Sequence, residues 1–237
     1  MLRDILGKSL IRRSYENACR AKLFDEVIVA TDDSRIYDHV VEFGGRAVMS
    51  SSECRSGTDR VAEVVRVYGV EADIVVNIQG DEPCLQPEVI RKLVETLQAN
   101  ESAVITTPVA RIDEGRDIFD PSVVKCVFDS TGKALYFSRS PIPFPGKNDE
   151  TTGYFRHLGV YCFRREFLLK VAELAETPLQ KREDLEQLKV LESGYPIHVC
   201  IVEDSAIGVD TVEDLKRVEE RLCLENTSLS QGVSSLR

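Results

Sequence analysis

The sequence predicts an α/β protein on a mixed, mainly parallel, doubly wound sheet, and three observations carry that expectation. Short β-branched runs recur at Glu26–Thr31, Ile74–Ile78 and Ala103–Val109. Between them lie stretches whose apolar residues repeat with a helical period. The run at Ile74–Ile78 then stops at Gly80, and Asp81-Glu82-Pro83 follow at once. A strand ending this way delivers carboxylates to the carboxyl edge of a sheet, where open α/β sheets bind ligands. An acidic turn is the plainer alternative.

The first element breaks the α/β pattern. Leu6, Leu10, Ile11, Tyr15 and Ala18 form a helical stripe beginning near Lys8, so the chain is expected to open directly on a helix. A parallel unit ordinarily opens on a strand and a glycine-bearing turn. Glu26–Thr31 is the next strand, closed by Asp32-Asp33. Asp33 or Ser34 caps a helix through Ile36, Val40, Val41 and Phe43, which Gly44-Gly45 end. A short strand at Arg46–Met49 leads to the loop Ser50–Arg60 and a helix with Val61, Val64, Val65 and Tyr68 on one face. After Ile74–Ile78, Pro87 starts the helix Glu88–Leu97, a position proline favours.

Beyond Val109 the pattern changes. Val123–Phe128, the turn Asp129–Gly132 and Lys133–Ser138 read as a β-hairpin. Pro141, Pro143, Pro145 and Gly146 make a long loop. Arg156–Phe163 reads as one strand, Glu166–Leu174 and Pro178–Glu192 as helices, and His198–Val202 as the last strand. Asp210-Thr211 opens a final helix through Val212, Leu215, Val218 and Leu222, with Thr211 and Asp214 as a capping-box variant. The expected organisation is one domain over residues 1–225, with a β-rich subregion at about 122–165, and a polar tail from 226 to 237.

Composition narrows the function. The 237 residues carry a net charge of −10, with 30% charged and 43% hydrophobic side chains. That balance disfavours a nucleic-acid backbone or an anionic membrane as partner. A phosphorylated ligand is still compatible, since a bound divalent cation reverses the local sign. Seven cysteines without a CxxC spacing lie mostly in apolar runs, as small core residues do in a reducing compartment. No run has the length of a membrane span, so a cytoplasmic location is expected.

Several constellations can carry chemistry. Asp81 and Asp210 each flank an element end; if both loops share one sheet edge, their oxygens suit Mg²⁺. Asp210 alone reads first as a helix N-terminal acid favoured by the dipole. Ser56-Gly57-Thr58-Asp59-Arg60 either faces a polar or phosphate ligand or simply caps a helix. Arg156 or Arg139 can clamp a carboxylate with two parallel hydrogen bonds. His157 is a ligand contact or a satisfied strand residue, while His39 and His198 read as structural. Glu186 and Gln187 suit a solvated helix face as well as a site.

Seven strings occur in order: ATDDSRI (30–36), SGTDR (56–60), VNIQGDEP (76–83), YFSRSPIP (136–143), RHLGVYCFR (156–164), EDLEQLKVLE (183–192) and VDTVEDL (209–215). Together they resemble the 3-deoxy-manno-octulosonate (Kdo) cytidylyltransferases, from about Leu2 to Leu222. The resemblance implies a Rossmann-like, GT-A-like nucleotidyltransferase sheet with a small β-rich lid used to form a homodimer. It implies transfer of CMP from CTP to Kdo for lipopolysaccharide assembly, with Asp81 and Asp210 holding Mg²⁺ beside Gln79. Ser56, Gly57, Thr58 and Arg60 then face the nucleotide. Arg139, His157, Tyr161, Glu186 and Gln187 form the sugar-acid pocket. The family's first strand and its PARxxSxRxPGK phosphate loop precede the equivalent of Asp4–Lys8, so the chain as given is expected to bind CTP poorly. The competing expectations are a cytidylyltransferase for another acidic sugar and a non-catalytic paralogue.

Overall fold

A computed structural model describes residues 1–113, 115–144, 153–203, 215, 218–220, 222 and 223. The chain opens on a hairpin rather than a helix. Leu6 (φ 50°) and Gly7 (φ 81°) are both left-handed and link β1 (Asp4–Ile5) to β2 (Lys8–Ser9). Positive φ at both central residues is the hairpin-favouring I′ pattern, and Asp4 Oδ1 accepts from the Gly7 N–H at 2.9 Å. Leu-Gly is not a turn dipeptide that a sequence reading flags, which explains the miss. Ser9 then caps α1 (Leu10–Arg20).

β3 (Val29–Thr31) leads through α2 (Ser34–Glu42), capped by Asp33, to β4 (Ala47–Met49), which pairs parallel with β3. Next come α3 (Gly57–Val67), β5 (Ile74–Asn77), α4 (Pro87–Ala99) and β6 (Ile105–Arg111). A short α5 (Gly115–Phe119) precedes the expected hairpin of β7 (Lys125–Phe128) and β8 (Ala134–Ser138). β9 (Phe155–His157), β10 (Tyr161–Arg164), α6 (Arg165–Glu173), α7 (Pro178–Glu183), α8 (Leu188–Glu192) and β11 (His198–Val202) complete the described elements.

Among the described residues seven strands form the main sheet, in the order β5-β10-β6-β9-β7-β8 with β11 also on β6. The sheet is mixed, as expected, but not mainly parallel. Among the described residues only β6–β11 and β3–β4 run parallel. The cause is a break in the expected strand Arg156–Phe163. The Val160 N–H returns to the Leu158 carbonyl at 2.7 Å, a tight turn that separates β9 from β10. β9 stays with the hairpin, while β10 enters between β5 and β6, antiparallel to both. Consequently β5 lies at the margin of this sheet rather than at its centre, with Ile74, Val75 and Val76 half-buried. Layers on both faces still explain its unbroken apolar run: Val75 packs into one core, Ile74 and Val76 into the other.

The first core joins α3, α6 and α8 to one face through Ile105, Phe163, Leu168 and Leu188. The second sets Ile90, Leu93 and Leu97 of α4 against Val160, Cys162 and Cys200. A third cluster joins Ile5, Leu10 and Cys84 to Leu215, Val218 and Leu222. Cys84, Cys126, Cys162 and Cys200 are buried thiols, as expected of core residues. Burial pushes the Cys162 thiol up to about 12 and the Cys200 thiol to about 11.

The helix expected over Pro178–Glu192 is two. Asp184 adopts φ 53°, ψ 52° and ends α7, so Glu186 and Gln187 lie in the turn before α8. The tail from residue 226 and the helix start at Asp210 lie outside the described residues.

Candidate active site

Four elements converge at the carboxyl end of β5. α3 begins there, β10 begins opposite it with Tyr161 paired to Asn77, and the α7–α8 turn closes over them. Thr58, Asn77 and Gln187 are 3%, 2% and 4% exposed, so their polar groups need partners inside the protein.

Those partners form a chain. Gln79 Nε2 donates to Asn77 Oδ1 at 3.4 Å, Asn77 Nδ2 to Thr58 Oγ1 at 3.3 Å, and Thr58 Oγ1 to Glu186 Oε1 at 2.8 Å. Beside it the Tyr161 hydroxyl donates to Gln187 Oε1 at 3.2 Å. Gly57 lets the loop approach this chain: a Cβ there would stand 2.7 Å from Gln79 Nε2 and 2.9 Å from its Oε1. Glu186 and Gln187 therefore do not line a solvated helix face. Glu186 Oε2 and Gln187 Nε2 are buried with no partner among the described residues. Unpaired polar atoms at a converging site mark places that a ligand or water satisfies.

His157 lies on β9, across β6 from the Tyr161 strand. Its Nε2 shares a 2.7 Å hydrogen bond with Thr107 Oγ1, and the ring packs on Phe137 and Tyr161. Burial pushes the imidazole pKa down to about 3, so His157 is neutral near pH 7. Burial, with the Glu186 charge adding to it, raises the Tyr161 phenol well above its ordinary value. Both are therefore fixed hydrogen-bonding groups rather than proton shuttles.

The remaining expected residues are placed differently. Ser56 caps α3, its Oγ accepting from the Asp59 N–H at 3.2 Å. Arg60 turns away, towards Ser50 and Asp32, with Asp32 Oδ1 at 3.3 Å. Arg139 donates from Nε, NH1 and NH2 to the carbonyls of Glu183, Pro121 and Asp184 at 2.7, 3.0 and 3.1 Å. Asp81 is half-buried in the turn after β5. Its expected partner Asp210 lies outside the described residues. Of the expected pair only Asp81 is described, and a hard carboxylate is the kind of oxygen ligand that Mg²⁺ takes together with substrate phosphates and water. A cleft of about 710 Å³ opens beside the site, bordered by Ser56, Asp59, Glu186 and Lys189.

Some residues escaped the sequence reading. Asn77 is the hub between Gln79 and Thr58, and an amide closing a β-branched run was the available signal. Ser14 Oγ and Asn17 Nδ2 of α1 bond the carbonyls of Gly80 and of Pro83 and Leu85, bracketing Asp81. Nothing in their spacing announces a contact across 66 positions.

A sequence profile described as cytidylyltransferase matches residues 1–205. The 3-deoxy-manno-octulosonate cytidylyltransferase of Chlamydia pneumoniae is 52% identical over 226 residues, 95% of this chain and 88% of the relative. That of Protochlamydia amoebophila is 50% identical over 232 residues, 96% and 90% of the two chains. A solved CMP:2-keto-3-deoxy-manno-octonic acid synthetase complexed with CTP superposes with a TM-score of 0.88 at 39% identity, covering 94% of this chain and 91% of that one. A 4-diphosphocytidyl-2C-methyl-D-erythritol synthase from Anaerococcus prevotii, at TM-score 0.64 and 16% identity, shares the fold. The chain belongs to the cytidylyltransferase family, and within it to the 3-deoxy-manno-octulosonate cytidylyltransferases.

Proposed function

We propose that this site transfers CMP from CTP to 3-deoxy-D-manno-octulosonate, releasing pyrophosphate and supplying the activated sugar for lipopolysaccharide assembly in the cytoplasm. The observation that carries the reading is the Gln79–Asn77–Thr58–Glu186 chain, which reaches Glu186 Oε1 at the α3 N-terminus and leaves Glu186 Oε2, with Gln187 Nε2 in the same turn, buried and unpaired among the described residues. One orphan accepts and the other donates, and a sugar hydroxyl can serve either.

In this reading Gln187 and Tyr161 hold the sugar acid, Glu186 accepts from one of its hydroxyls, and neutral His157 orients Tyr161 by ring contact. Ser56, Gly57 and Thr58 present the positive end of α3 to the nucleotide, where the helix dipole favours phosphate. Arg60 supports that loop from Ser50, and Arg139 borders the sugar pocket. The anomeric oxygen attacks the α-phosphorus in line with departing pyrophosphate, so the chain's main contribution is alignment of the two substrates. Asp81, with Asp210, would hold Mg²⁺, which when bound offsets charge on the phosphate oxygens. The expected assembly is a homodimer through the hairpin subregion.

Pyrophosphate release tests the proposal, measured with CTP, Mg²⁺ and a panel of 2-keto sugar acids. The eight-carbon Kdo should give the highest kcat/KM. Asp81→Asn should abolish turnover and leave the circular dichroism spectrum unchanged. Near wild-type rates in that variant would remove Asp81 from its role, and preference for another acid would reassign the substrate.

A further inference from the structure

We propose that Lys125 and Glu183 are positioning residues for the sugar-acid pocket, acting on it through the Ser138–Arg139 strand end. Lys125 opens β7 and is fully buried, an unusual state for an ammonium group. Its Nζ has three donors, and three main-chain carbonyls take them: Asp120 at 2.9 Å, Val123 at 2.6 Å and Arg139. Solvation is thereby replaced in full by one fixed set of backbone dipoles. The set is directional, because it draws the turn before β7 and the end of β8 to one point.

Glu183 holds the same strand end from the other side. Its Oε1 accepts from Ser138 Oγ at 2.8 Å and Tyr136 OH at 3.4 Å, and its Oε2 from the Arg139 N–H at 3.0 Å. The Arg139 main chain is thus gripped at its carbonyl by Lys125 and at its N–H by Glu183. From that anchored backbone the Arg139 guanidinium reaches the Glu183 and Asp184 carbonyls, the last of α7. Cations are favoured at helix C-termini, and here one sits where Asp184 reverses the chain. Glu186 and Gln187 follow within three residues. The cluster therefore fixes the turn carrying the two orphaned polar atoms relative to the hairpin β7–β8. Neither Lys125 nor Glu183 needs to touch substrate for this.

The inference rests on the proposed sugar-acid site, so the test separates the two. Lys125→Met keeps the length of the stem and removes all three donors. Glu183→Ala empties the other grip, and Glu183→Gln keeps one acceptor oxygen and the shape. Lys125→Met and Glu183→Ala should raise KM for Kdo by about tenfold or more, while KM for CTP stays within about twofold, a split that simple loss of folded enzyme does not produce. Glu183→Gln should recover much of the Kdo affinity. Tyr161→Phe and Gln187→Met serve as controls for the pocket itself. If they raise KM for Kdo and the Lys125 and Glu183 variants do not, the positioning role is overturned alone. If none of these variants raises KM for Kdo, the pocket reading falls and takes this inference with it. Should Lys125→Met fail to fold, the contrast between Glu183→Ala and Glu183→Gln decides the matter.

Discussion

Thr58 and Glu186, 128 positions apart, meet in a 2.8 Å hydrogen bond that joins the first turn of α3 to the α7–α8 turn. The Thr58 hydroxyl donates there and accepts from Asn77, so it is the only described link from β5 to Glu186 in that chain. Thr58→Val keeps the volume and removes both bonds. It should cost about 1–3 kcal/mol of unfolding free energy, the range for a buried group left unpaired. A urea titration measures this, and an unchanged midpoint would mean that water replaces the hydroxyl. KM for Kdo should rise in the same variant because Glu186 loses its anchor.

Gly57 lends itself to a sharper experiment. A Cβ at this position meets the end of the Gln79 side chain at 2.7 Å, closer than carbon atoms tolerate. The obstacle is the tip of a flexible side chain, so the fold accommodates alanine by swinging Gln79 away. Gly57→Ala should therefore leave the melting temperature within a few degrees and reduce kcat/KM by about 10–100-fold, as a displacement of about 1 Å near reacting groups does. Loss of stability in step with activity would show instead that the glycine serves the backbone.

Local signals in the sequence carried much of this architecture. Val-Ile runs, Asp33 and Ser56 before helical stripes, and Pro87 at a helix start each act through neighbours in the chain, so β3, α2, α3 and α4 were legible. The hairpin β7–β8 was legible for the same reason, from alternation about Asp129–Gly132. Apart from the local Leu6-Gly7 turn, what failed was decided at long range. The break at Leu158–Val160 accompanies the pairing of β10 with β5 and β6, and the carbonyl of left-handed Asp184 accepts from Arg139, which reaches across from the hairpin. The burial of Gln187 follows from that turn and not from its helical spacing. Lys125 shows the same limit: nothing local in Val123–Phe128 announces that three main-chain carbonyls surround its ammonium group.

His157 gives a prediction in pH. Its native form is neutral because burial lowers the pKa to about 3, whereas an unfolded histidine titrates near about 6.5. Below pH about 6.5 the unfolded chain takes up a proton that the native state refuses, so this contribution to stability is complete above about 6.5 and declines towards about 3. His157→Gln removes the titrating ring and retains an amide for Thr107. The difference in unfolding free energy between variant and wild type should change across that window and be flat above it. Imidazole nitrogen shifts should report a neutral ring at pH 5, and a protonated ring there would contradict the assignment.

The loop bearing Asp81 owes its position to a helix far away in sequence. Ser14 Oγ donates to the Gly80 carbonyl at 2.7 Å, and Asn17 Nδ2 to Pro83 at 3.4 Å and to Leu85. Both side chains are 5% exposed, so water does not compete for these carbonyls. Gly80 itself packs closely: a Cβ there would stand 3.0 Å from Met1 Sδ and 3.2 Å from Ile11 Cδ1. The main chain on both sides of Asp81-Glu82 is therefore tied to α1, which fixes where the loop stands. Ser14→Ala and Asn17→Ala should each cost about 1 kcal/mol or somewhat more in stability. The double variant should lower kcat by about tenfold or more while KM for Kdo stays near wild type, because alignment at the reacting end suffers and the sugar pocket does not. Amide exchange at Cys84 and Leu85 should quicken in parallel. If exchange quickens and kcat holds, Asp81 does not depend on this bracket.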